Sequence, residues 1–117
     1  MVDCYKDEQE IHAVVAGFEQ CTTGKDEFTH RSHLTVAVYY LRNSNSEEAV
    51  QKMRAGLFCF LDHHAVNRAK YKEDLTRNWI ALVQQVMETK ADLSLLAVTN
   101  AVLAQLGDSR IEPRSAN

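Results

Sequence analysis

The chain has 117 residues, 45% of them apolar and 25% charged, with a net charge of −3 at neutral pH. That length fits one domain, residues 1–117, able to bury a core of its own. The acidic balance argues against nucleic acid as a general partner, and no run of about 18 apolar residues is present to span a membrane.

Four glycines and one proline favour helices over a turn-rich β fold. The opening Met1-Val2-Asp3-Cys4-Tyr5-Lys6-Asp7-Glu8 is acidic and has no signal-peptide core, so a cytoplasmic location is expected. Cys4, Cys21 and Cys59 are odd in number and widely spaced, which fits reduced thiols better than a disulfide framework.

A first helix is expected over 8–21, with Ile11, Val14, Val15, Phe18 and Cys21 on one face. Thr22-Thr23-Gly24-Lys25-Asp26 breaks it, with Gly24 suited to a left-handed cap. The second helix, over 29–42, organises the rest. At about 100° per residue, Leu34, Ala37 and Leu41 fall together, and His30 and His33 fall inside the same arc. Arg31, Ser32, Thr35, Tyr39 and Arg42 take the opposite side.

The third helix, over 47–64, carries Val50, Met53, Leu57, Phe60 and Leu61 on one face, with His64 at its centre and His63 at its edge. Ser44 and Glu47 have the spacing of a capping box before it. The fourth, over 71–88, carries Leu75, Trp79, Leu82, Val83 and Val86, with Lys72 within the stripe and Glu73 and Thr76 at its border. A fifth begins near Asp92 as N-cap, buries Leu95, Leu96, Thr99, Val102, Leu103 and Leu106, and ends at Gly107. Residues 108–117 read as a frayed tail. Four or five helices with short connections predict an all-α, up-and-down bundle.

That topology predicts where polar groups meet. The end of the first helix, the start of the second, the end of the third and the start of the fourth share one end of the bundle. His30, His33, His64 and Glu73 are therefore candidate ligands of a divalent metal ion such as Zn, Ni or Fe, with Glu73 a fourth ligand or a general base for hydrolysis. The His30-x-x-His33 spacing lacks the Glu of the HExxH motif. The bland alternative is that these are satisfied core histidines, His30 bonding a loop carbonyl and His64 sitting at a helix C-terminus. Lys72 opposes a cation. With Tyr71 and Thr76 it is a candidate contact for a metal-free small molecule or anion, unless it simply turns to solvent. A non-enzymatic interaction module, a homodimer through an exposed helix face, is the remaining reading. No reaction follows from these residues alone.

Phe28-Thr29-His30-Arg31-Ser32-His33-Leu34-Thr35-Val36-Ala37, followed by Tyr71-Lys72-Glu73-Asp74-Leu75-Thr76-Arg77-Asn78-Trp79, resembles a group of small, mostly uncharacterised bacterial helical proteins. Their pattern is an F-x-H-x-x-H-L-x-V-A helix and a later Y-H-E-T-x-T-x-x-W helix. The resemblance spans roughly 28–80 and brings no established activity. Lys72 stands where the group has its third His, and Asp74 where it has its first Thr. If that His is a ligand in the group, the resemblance implies that this chain has lost it.

Overall fold

The computed structural model describes residues 4–24 and 26–107, so the tail expected at 108–117 lies outside the described residues. Five helices follow in order: α1 (Glu8–Glu19), α2 (His30–Asn43), α3 (Ser46–His63), α4 (Glu73–Glu88) and α5 (Leu95–Leu106). A 3-10 turn, Arg68–Lys70, precedes α4. No strand occurs among the described residues, and the architecture is an all-α bundle. None of the helices described is long and apolar enough to cross a membrane.

Helix α2 packs against all four of the others, so the His-bearing helix is the axis of the domain. This changes its supposed polar side. Ser32 and Thr35, placed there by periodicity, are buried. The cause is the segment before α1, which returns across α2. Asn100 of α5 clamps the Tyr5 backbone, accepting from its N–H at 2.9 Å and donating to its carbonyl at 3.1 Å. The Arg31 guanidinium lies 3.9 Å from the centre of the Tyr5 ring. Thr35 donates to the Arg31 carbonyl at 2.8 Å, which uses its one hydroxyl proton, so the Tyr5 hydroxyl donates to Thr35 Oγ1 at 2.8 Å. Ser32 donates to the Glu27 carbonyl at 3.2 Å. The second face of α2 is buried because its hydroxyls are satisfied.

Four helices start on side-chain caps. Asp7, Thr29, Asn45 and Ser94 accept from the amides of Glu10, Ser32, Glu48 and Ala97. The cap before α3 is therefore Asn45 and not the expected Ser44–Glu47 box; Asn45 Oδ1 accepts from Glu48 N–H at 2.9 Å. The expected cap at Asp92 moves to Ser94, which makes Leu95 the first buried residue of α5.

The left-handed cap is not at Gly24. It falls on Cys21 after α1 (φ 61°) and on Ala65 after α3 (φ 57°). Both close Schellman motifs. Thr22 N–H reaches Gly17 O at 2.9 Å and Cys21 N–H reaches Phe18 O at 3.2 Å; Val66 N–H reaches Leu61 O at 2.8 Å and Ala65 N–H reaches Asp62 O at 3.1 Å. Left-handed backbone is costly for a residue with a Cβ. Ala65→Gly is therefore expected to stabilise the protein by about 0.5–1 kcal/mol in urea denaturation. A lower denaturation midpoint would contradict this.

The ends of α1 and α3 are tied together. Phe18 stacks on Phe28 with ring centres 4.9 Å apart, and Phe28 meets Phe60 at 5.4 Å. Gly56, in the middle of α3, has no side chain where the Phe18 ring lies, and a Cβ there would sit 2.2 Å from Cε2 of that ring. Cys21 and Cys59 are joined as a disulfide with Cα atoms 6.1 Å apart. This corrects the expectation of three reduced thiols. The two residues are 38 apart in sequence, and only the docking of α1 on α3 brings them within bridging range. Cys4 is an exposed free thiol.

Candidate functional site

A cavity of about 370 Å³ lies between α2, α3 and the approach to α4. Its apolar wall is built by Leu34 of α2, Met53, Leu57 and Leu61 of α3, and Leu75 and Trp79 of α4. Those positions are the inward stripes of three helices. Its polar groups are His30, His33, Lys70, Tyr71, Lys72 and Thr76. Among the described residues, no Asp or Glu lines it.

His30 opens α2 directly after the Thr29 cap. Its Nε2–H donates to the Leu106 carbonyl at 3.0 Å, so the ring closes the last turn of α5. In the neutral ring that bond fixes the proton on Nε2 and leaves Nδ1 as an acceptor. The ring also meets the edge of Trp79, centres 4.8 Å apart. His33, one turn on, is half-buried and packs against Phe28 at 5.3 Å. Burial first, and then the neighbouring His30, push its pKa down to about 4. It is neutral at physiological pH.

The candidate metal set is not assembled. The His64 Nε2–H donates to the Thr23 carbonyl at 2.9 Å, and its ring meets Phe60 and His63 edge-on. It holds the α1–α2 loop to the end of α3 and does not line the cavity with His30 and His33. Glu73 is gripped by Arg54 through two bonds, at 2.9 and 2.6 Å, by Arg77 at 2.8 Å, and by the Tyr71 hydroxyl at 2.7 Å. Among the described residues, no three His, Cys, Asp or Glu side chains are placed to share a metal ion.

Glu73 is also a poor general base. Arg54 foremost, then the Tyr71 hydroxyl, hold its carboxyl down at about 2. A carboxylate so stabilised has little drive to take a proton near neutrality. Arg77 goes on to pair with Glu47 at 3.3 Å. Together Glu47 and Arg54 of α3, with Glu73 and Arg77 of α4, tie the N-terminal half of α3 to the first turns of α4. Nothing local in the sequence points to this use of Arg54. The 19 residues that separate it from Glu73 hid the pairing.

The three candidate ligand contacts do come together. Lys72 is the N-cap residue of α4 and is exposed, with its carbonyl accepting from Thr76 N–H at 3.1 Å. Thr76 is buried, and Tyr71 is half-buried at the cavity with its hydroxyl turned to Glu73. Burial raises the Tyr71 pKa, so the phenol keeps its proton and donates. Lys70, between α3 and α4, is a second cation on the lining. The 3-10 turn delivers it there, a feature without a periodic signal. Comparison with family models, curated proteins and solved structures gives no match to this chain.

Proposed function

We propose that the protein binds a small organic acid with an apolar body, in the cavity between α2, α3 and α4. The supporting observation is the composition of the lining: an aliphatic and aromatic wall, two lysines, two histidines and, among the described residues, no carboxylate. A space of about 370 Å³ is at the lower end of the range for small-molecule sites. The apolar wall would take a hydrocarbon or aryl body. Lys70 and Lys72 would hold the acid, with Thr76 as a further polar contact. Lys72, which argues against a cation, argues for this ligand. The proposal is a binding role, with no catalytic step assigned. A cytoplasmic setting, a partner other than nucleic acid, and kinship with the bacterial FxHxxHLxVA group belong to the same proposal.

The test is thermal and calorimetric titration with octanoate, octanol and acetate. Octanoate is expected to raise the unfolding midpoint and bind saturably, octanol to bind more weakly, and acetate not at all. Lys72→Met is expected to weaken octanoate about fivefold to tenfold, roughly 1 kcal/mol, while leaving octanol unchanged. Equal binding of octanoate and octanol would reject the acid. No binding of either would reject the site.

A further inference from the structure

The Cys21–Cys59 bridge lies apart from the cavity, on an open cleft between the end of α1 and the last turns of α3. Cys59 is exposed and Cys21 half-buried, so an external reagent reaches Cys59 first. His63 and Arg68 line the same cleft, with Arg68 paired to Asp62 at 2.7 Å and lying 4.5 Å from the centre of the Phe58 ring.

The bridge is also not the sole tie between these elements. The Phe18 ring fills the space above Gly56, and His64 bonds the Thr23 carbonyl at 2.9 Å. Both contacts hold the end of α1 on α3 independently of the sulfurs. The backbone at Cys21 is set by its own Schellman hydrogen bonds, at 2.9 and 3.2 Å. After reduction the two thiols therefore remain neighbours, and the bond can re-form without refolding.

From this juxtaposition of an accessible bridge and sulfur-independent ties, we infer that Cys21–Cys59 is a reversible thiol–disulfide site whose co-reactant is a low-molecular-weight thiol. The thiolate of that compound attacks Cys59 Sγ. A mixed disulfide forms at Cys59 as the Sγ–Sγ bond breaks, and the electron pair leaves on Cys21 Sγ, which takes a proton from water. A second thiolate attacks the outer sulfur of the mixed disulfide, releasing the oxidised compound and the Cys59 thiolate. Two electrons pass from two small thiols to the bridge. In the reduced state the end of α1 is held by packing and one ring hydrogen bond, and opens more readily.

The experiment uses the full chain purified without reductant, with glutathione as the probe. Thiol titration under native conditions is expected to find one reactive thiol, Cys4. After millimolar glutathione at neutral pH it is expected to find three, with the far-UV spectrum unchanged and the thermal midpoint about 10 °C lower. Removal of glutathione in air returns the count to one. In Cys4→Ser the counts become none and two. Early quenching is expected to trap the adduct on Cys59. Three thiols before reductant, a bridge that resists glutathione until denaturant is added, or an early adduct on Cys21 would each overturn the inference.

Discussion

Gly56→Ala is expected to destabilise the protein by about 2–3 kcal/mol, although alanine is the better helix former by about 1 kcal/mol. The sign is set by one contact. The added methyl would lie 2.2 Å from Cε2 and 2.3 Å from Cζ of Phe18. Phe18 cannot swing aside, because it is 1% exposed and stacked on Phe28. Either α1 lifts from α3 or the ring leaves its rotamer, and either loses packing across the aromatic cluster. Guanidinium denaturation measures the loss. Adding Phe18→Leu is expected to make the alanine much less costly than it is in the parent. A Gly56→Ala protein more stable than the parent would mean that the two helices do not meet so closely.

Acidification gives the second large effect. In the folded protein His33 titrates at about 4, against 6.5 for the unperturbed side chain. The unfolded chain therefore takes up this proton at a higher pH than the folded chain does. Stability from His33 is complete above about 6.5, declines as pH falls through the interval, and is gone below about 4. That gap, at about 1.4 kcal/mol per pH unit, amounts to about 3 kcal/mol. Glu73 acts in a lower window. Its carboxyl is held at about 2 against an ordinary 4.5, so its share is lost only as pH drops below about 4.5. Stability measured from pH 7 to 4 is expected to slope downward in the parent and to flatten over 4.5–6.5 in His33→Gln. The slope is the readout, since the substitution can change the stability itself. An unaltered slope would show that His33 is not the group responsible.

The helices were legible because each carries a continuous apolar stripe at helical spacing. Phe18, Leu34, Met53 and Leu103 all lie where that spacing puts them, in the core. Local patterning could not show what long-range contacts decide. Thr35 is buried by Tyr5, and Tyr5 is held by Asn100, 95 residues away. Gly56 looks like a weak point in a helix until Phe18 is seen above it. The cysteines pair through the same docking. The candidate site was legible in part. Topology brought His30, His33, Tyr71, Lys72 and Thr76 to one cavity. It also sent His64 and Glu73 toward the same end of the bundle, where they are used otherwise. Thr23 offers His64 a carbonyl and Arg54 offers Glu73 a bidentate partner. Burying either group unpaired would cost more than these contacts do.

Trp79 is the chain's one tryptophan and stands in the cavity wall against His30. Its indole N–H gives a single, assignable resonance. Titrating the protein with octanoate while following that signal tests the proposed ligand site most directly. A saturable shift, reproduced by the amides of residues 71–76 and absent with acetate, is the expected result. An indole signal that stays fixed while octanoate reaches millimolar concentration would contradict it.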